Sequence, residues 1–203
     1  MTEIKILYDR IYSDTTTKDP RQFIDLYDEN KAVIEGADSS ISNPDYDGIM
    51  RLTSDYALSL SHYGSSKKAI PYLDKSIQQF KDSTCADLTK VSMYEILVWT
   101  RGVEQYNNKS YKTSSKDFQY LVDTYPENDK YRNWLLASKT ITAKKWLNIL
   151  WYGAIATLVW ETMVNKEDAI FENYLLIVSF ILFILAILTE ILNAFIKSSI
   201  KLK

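Results

Sequence analysis

Apolar residues recur at the spacing of helix faces throughout the first 145 residues of the chain. Ala69, Leu73 and Ile77 lie four residues apart, and Phe118 and Leu121 begin a similar series further on. Intervals of three and four residues place side chains on one face of an α-helix. The breaks between these segments contain Gly, Pro and Asn. The pattern predicts an all-α fold with helices over residues 3–12, 21–35, 45–63, 66–81, 86–106, 111–124 and 128–145.

The last third of the chain has a different hydropathy pattern. Two runs, Trp146 to Trp160 and Asn173 to Thr189, carry no charge. As helices they cover roughly 22 and 26 Å, and a hydrocarbon core is about 30 Å thick, so each must extend past a glutamate to span. The runs predict two transmembrane helices joined by a polar turn over residues 164–171. The sequence therefore divides into a soluble helical domain, 1–145, and a transmembrane hairpin, 146–203.

Lysine positions predict the orientation of this hairpin. Two lysines precede the first run and three follow the second, whereas the turn contains Lys166 alone. Basic residues flank the cytoplasmic ends of membrane helices, and no export signal opens the chain. We therefore expect an inner or plasma membrane protein with both termini and the helical domain in the cytoplasm. Two alternatives stay open: a first run that lies at the interface, and a helical pair buried in a globular core or an oligomer interface.

Four polar residues fall within or at the ends of the two apolar runs. Polar side chains at one depth in a bilayer can link helices within or between protomers, or their ends can reach the headgroup region. With the helices antiparallel, the first and last of the four come to a similar depth. These predicted intramembrane polar residues are Asn148, Glu161, Glu190 and Asn193.

Two segments of the soluble domain, Tyr56 to Phe80 and Arg101 to Asn128, resemble tetratricopeptide repeats. Each has a small residue in its first helix, a turn, a small residue where the second helix makes close contact, and a large apolar residue one turn later. The residues that carry the resemblance are Ala57, Gly64, Ala69, Leu73, Gly102, Ser114, Phe118 and Pro126. Equivalent positions are 45 residues apart, compared with 34 in a standard repeat. The resemblance implies a stack of antiparallel helical hairpins, with the segments before residue 40 as an N-terminal cap.

Composition excludes several classes of function. The 24 basic and 26 acidic residues nearly balance, which argues against nucleic-acid binding. The single cysteine, Cys85, and the single histidine, His62, cannot supply a zinc cluster. No glycine-rich phosphate loop or nucleophile motif is present at the required spacing. We expect a protein that is not an enzyme and has no cofactor or catalytic residue.

The remaining expectation is binding. Stacked helical repeats present extended surfaces, and the resemblance implies that a partner protein binds in the concave one. The leading hypothesis is a membrane-anchored scaffold whose partners are the lipid bilayer, a protein and, in a homo-oligomer, further copies of itself. The alternative is an oligomerising membrane effector that opens a pore or disturbs the bilayer, with the helical domain controlling assembly. The candidate partner-binding residues are Asn107, Asn108, Lys109, Tyr111 and Lys112.

Overall fold

A computed structural model describes residues 2–13, 19–38, 40–83, 92–163, 177–178, 180–191 and 194. Within these ranges the side chains of residues 142–146, 158 and 161–163 are not described. The chain divides into two compact units, Met1–Tyr125 and Pro126–Lys203. All regular structure in the described residues is helical, as the sequence pattern predicts.

The first unit consists of seven helices, of which the last four form two antiparallel hairpins. Helix α4 packs along α5, α6 packs along α7, and α5 packs against α6, so the two hairpins stack side by side. The seven helices are α1 (Glu3–Ser13), α2 (Pro20–Glu29), α3 (Lys31–Gly36), α4 (Tyr46–His62), α5 (Ser66–Asp82), α6 (Ser92–Asn107) and α7 (Tyr111–Thr124).

The two hairpins turn in the same way. Gly64 and Lys109 both have a positive φ, at 78° and 63°, and each follows the last turn of the first helix. The next residue closes the turn: the Ser65 N–H donates to the Leu60 carbonyl at 2.9 Å, and the Ser110 N–H donates to the Gln105 carbonyl at 2.8 Å. A left-handed residue with this backward bond is a standard helix end. The 45-residue interval seen in the sequence is thus an interval between equivalent backbone positions.

The same interval extends back to α1. Two of the three residues that α1 buries have buried counterparts 45 and 90 residues later, on the first helix of each hairpin. Like α4 and α6, α1 and α4 are neighbours, and α2 packs against α4 as α5 packs against α6. The equivalent buried positions are Ile4 and Leu7 in α1, Ile49 and Leu52 in α4, and Tyr94 and Leu97 in α6.

The single helix expected over residues 21–35 is wrong: the structure has two helices there. Asn30 ends α2, since its side-chain amide donates to the Leu26 carbonyl at 2.8 Å and its φ and ψ of −107° and 13° leave the helical range. Asparagine competes in this way for backbone groups and is a poor residue for a helix interior. The chain therefore changes direction at Asn30 before α3 begins.

The second unit contains helix α8 (Asp129–Met163), 35 residues long, and a further helical stretch over residues 180–191. The predicted boundary between the soluble domain and the first uncharged run, at residue 145, lies inside α8, and the helix continues across it. The two helical stretches pack together: the Trp151 and Phe183 rings meet edge to face at 5.7 Å, and a Cβ on Gly153 would lie 3.5 Å from Leu182. The turn predicted over residues 164–171 lies outside the described residues.

Candidate partner-binding surface and apolar surface

Side chains link α1 to α4 and α4 to α6, and α4 and α6 are the first helices of the two hairpins. We call these three neighbouring helices the row. The Tyr12 hydroxyl of α1 donates to Asp55 of α4 at 2.6 Å, and the Ser61 hydroxyl of α4 donates to Glu104 of α6. Both links join residues 43 positions apart. The row is therefore held together by interhelix hydrogen bonds as well as by packing.

Positions 45 residues apart on the three helices of this row are exposed, but their side chains differ in polarity. Ile6 and Ile96 are 52% and 46% exposed, and Arg51 occupies the equivalent position between them. Leu58 and Val103, also 45 residues apart, are half-buried. Alternating apolar and charged side chains on a rigid helical row suit a protein or peptide ligand that is itself amphipathic.

Glu104 is a buried acid that sequence reasoning did not single out. Only 5% of the residue is exposed. One carboxylate oxygen accepts from Ser61, and the other has no hydrogen-bond partner among the described residues. Nothing in the sequence distinguishes Glu104 from a surface glutamate, because its burial depends on the approach of α4. A buried, half-satisfied carboxylate destabilises a fold and is a candidate for a functional role.

The five candidate partner-binding residues lie together at the turn between α6 and α7. Asn107, Lys109 and Lys112 are exposed. Asn108 donates its side-chain amide to the Glu104 carbonyl at 3.1 Å, and the Tyr111 ring lies 5.2 Å from that of Tyr106. Asn108, Tyr111 and the backbone of Lys109 thus build the turn, and the side chains of Asn107, Lys109 and Lys112 are exposed to a ligand. Their role in binding stays a prediction.

Six of the eight residues that carry the repeat resemblance lie at close helix contacts, and Gly64 and Pro126 lie at turns. Ala57, Ala69 and Leu73 are fully buried where α4 and α5 pack. In the second hairpin the Ser114 hydroxyl donates to the Gly102 carbonyl at 2.8 Å. A Cβ added to Gly102 would lie only 3.0 Å from the ring of the fully buried Phe118. Pro126 directly follows the last residue of the first unit.

An ion-pair cluster joins the second hairpin to the first. The Arg101 guanidinium donates to both oxygens of Asp117 on α7, with Nε to Oδ2 at 2.9 Å, and through Nη1 to Asp74 on α5 at 2.8 Å. Burial opposes its charge, but the two carboxylates outweigh burial and raise the pKa of Arg101. A two-pronged pair of this kind fixes orientation as well as proximity.

In the first hairpin, the position equivalent to Arg101 is a tyrosine, which makes the corresponding helix connection through its ring and its hydroxyl. Tyr56 precedes Arg101 by 45 residues, and its ring meets Tyr72 edge to face at 4.7 Å. Its hydroxyl donates to Asp28 on α2 at 2.7 Å. Burial raises the pKa of Tyr56, and the hydrogen bond to Asp28 raises it further. Arg101 on α6 thus connects α7 with α5, and Tyr56 on α4 connects α5 with α2 in the same way.

The second unit exposes an extensive apolar surface. Tyr152 and Trp160 on α8 are 71% and 58% exposed, and Phe180 is 65% exposed. The other large apolar residues exposed in this unit are Ile149, Ile155, Val159, Ile177, Val178, Ile181, Phe183, Ile184, Leu185, Ile187, Leu188 and Ile191. Single exposed apolar residues are ordinary, but a contiguous set of this size indicates an interaction surface.

Of the predicted intramembrane polar residues, Asn148 and Glu190 are both exposed on the second unit. The side chain of Glu161 and the whole of Asn193 lie outside the described residues. The expected similar depth of Asn148 and Asn193 is therefore untested. Among the residues that the structure describes, no helix combines the length and hydropathy needed to cross a membrane.

Comparisons with protein-family models, with curated proteins and with solved structures find no match to this chain.

Proposed function

We propose that this protein is a membrane-anchored scaffold of the tetratricopeptide-like kind, whose helical-hairpin stack binds a partner protein at the cytoplasmic face. The observation that carries the proposal is the apolar surface of the second unit. At about 25 cal/mol per Å², leaving more than a dozen large apolar side chains in water costs many kcal/mol. A bilayer covers such a surface on all sides at once.

The sequence supplies the rest of the membrane argument. Residues 146–160 of α8 and the helical residues 180–189 belong to the two uncharged runs. The lysines that flank the runs favour both ends on the cytoplasmic side. In this arrangement the polar turn around Lys166 faces the opposite side. The expected location is the inner or plasma membrane.

The scaffold part of the proposal is supported by the row of α1, α4 and α6. Ile6, Arg51 and Ile96 stand at regular intervals on helices that hydrogen bonds hold in register. A preformed surface binds with little ordering cost, which favours recognition of a helix or an extended peptide. The exposed residues Lys109 and Lys112 lie at the turn that follows α6.

The membrane proposal is tested by accessibility of single cysteines. Lys166→Cys and Lys201→Cys are introduced separately in a Cys85→Ser background, and intact cells are treated with a membrane-impermeant thiol reagent. Labelling at 166 alone is expected. Labelling at 201 alone means that only the second run spans, and labelling at both removes the C-terminus from the cytoplasm. A matched fragment that ends at Lys145 is expected to leave the membrane fraction and stay helical by circular dichroism.

Partner binding is tested with a photoreactive amino acid in place of Ile96, on the row, or of Lys116, an exposed residue of α7. A protein adduct that forms at position 96 and is absent at 116 supports the scaffold. Equal adducts at both positions, or none at either, contradict binding at the row.

A second candidate function is an oligomerising membrane effector, which the exposure of Asn148 and Glu190 within the apolar surface favours. Polar groups on a lipid-facing surface can line a pore when several copies assemble. Release of a dye from loaded vesicles on addition of the protein distinguishes this candidate, since a monomeric scaffold leaves vesicles sealed.

A further inference from the structure

One face of α8 points away from the helical stretch 180–191, and exposed residues recur along this face at coiled-coil spacing. Asn148, Tyr152, Ile155 and Val159 are all exposed, and the intervals between them are four, three and four residues. At about 100° per residue the four side chains fall within an arc of about 60°. Alternating intervals of three and four residues are the pattern of a seam between two helices that cross at a small angle. We call these four residues the outer seam.

The opposite face of α8 is already occupied. Ala154 is 3% exposed, and Gly153 lies against Leu182 of the 180–191 stretch. The Thr157 hydroxyl is satisfied within α8, since it donates to the Ala154 carbonyl at 2.9 Å. Gly153 and Ala154 each lie about 130° around the helix from the centre of the outer seam. The outer seam is therefore a separate surface.

Asn148 determines what can cover the outer seam. Its side chain is exposed and makes no hydrogen bond within the part of the chain that the structure describes. Lipid tails offer no partner to an amide, and the short asparagine side chain reaches less far toward headgroups than lysine or arginine. An amide carries both donors and an acceptor, so it is complementary to a second copy of itself.

We infer that the outer seam is the contact through which two copies of this chain associate in the membrane, with Asn148 hydrogen-bonded to the Asn148 of the second copy. A two-fold contact places each seam residue near its own counterpart, so one polar residue per helix satisfies the pair. The inference rests on the proposed membrane anchor. It adds a second copy as the specific partner of α8.

The test uses the full-length protein in a Cys85→Ser background, reconstituted into vesicles of phosphatidylcholine and phosphatidylglycerol. Single cysteines replace Tyr152 or Ile155 on the seam, and Ala154 or Thr157 on the packed face serves as a matched control at the same depth. Mild oxidation is followed by non-reducing electrophoresis. Disulfide-linked dimers are expected at 152 and 155, with much less at 154 and 157.

A second variant separates the role of Asn148 from simple proximity. Asn148→Leu in the Ile155→Cys protein is expected to weaken dimerisation roughly tenfold, and Asn148→Gln is expected to retain most of it. Equal cross-linking at all four positions, none at any, or no effect of Asn148→Leu overturns the inference. Vesicle flotation is measured in parallel: a protein that fails to float contradicts the membrane anchor itself, whereas one that floats without seam-specific dimers contradicts only the dimer.

Discussion

Replacing Gly102 by alanine tests the closest helix contact in the hairpin stack. The new Cβ would lie 3.0 Å from two ring carbons of Phe118 and 3.3 Å from Cβ of Asp117. Phe118 is fully buried and Asp117 is held by Arg101, so neither can move away without disturbing its own contacts. Such overpacking costs about 1 to 3 kcal/mol. Alanine recovers about 0.5 to 1 kcal/mol because it restricts the unfolded chain more than glycine does.

Subtracting this gain leaves a net loss of about 0 to 2.5 kcal/mol for Gly102→Ala, equivalent to a fall in Tm of up to about 10 °C for a chain of this size. Gly48→Ala is the matched control in a helix of the same unit. Its Cβ would make ordinary contacts at 3.6 Å with Tyr8 and 3.7 Å with Ile4. Here the gain in helix propensity dominates, and Tm is expected to rise slightly.

The assay is thermal unfolding of the full-length protein and both variants, followed by circular dichroism under identical solvent and protein concentration. Opposite signs for the two substitutions support the argument, since the residue change is the same and only the surroundings differ. A rise in Tm for Gly102→Ala would refute the claim that α6 and α7 are in closest contact there. A similar fall for both variants would mean that alanine is tolerated poorly for a reason unrelated to this contact.

Three further outcomes follow from single groups in the first unit. Asp117→Ala removes the two-pronged partner of Arg101 and leaves it only the exposed Asp74, so it should cost about 1.5 to 3 kcal/mol in urea unfolding. Asp123→Ala, on the exposed side of the same helix, should stay within about 0.5 kcal/mol, and similar small effects of both substitutions would contradict a structural ion pair. Glu104→Gln should raise Tm, since the amide can still accept the Ser61 hydrogen bond without a buried charge, and a fall in Tm would contradict this. Burial and the hydrogen bond to Asp28 raise the pKa of Tyr56, so the folded state holds the hydroxyl proton more tightly than the unfolded state does. The stability contributed by this hydroxyl is complete below pH about 10 and is lost as the pH rises above it. In a pH titration followed by phenolate absorbance, Tyr56→Phe should show one fewer late-titrating tyrosine than the parent protein.

The sequence predicted most helices of the hairpin stack well because their information is local. Helix α7 has the predicted bounds, Tyr111 to Thr124. Helix α4 is one residue shorter at each end than predicted, and α5 is one residue longer at its C-terminal end. Turn chemistry is local too: Gly64 sits where a left-handed residue is required. Lys109 takes the same conformation without being glycine, and the sequence predicted a turn there from the neighbouring Asn107 and Asn108. The membrane hairpin, the partner and the oligomeric state stay predictions.

Tertiary structure decided what depends on residues distant in the chain. Arg101 finds Asp117 and Asp74, 16 and 27 residues away, and their pairing could not be chosen from a sequence with 26 acidic residues. Glu104 is buried only because α4 brings Ser61 to it. Helical periodicity tells which side chains share a face, but the partner of that face is set by how the helices pack against one another.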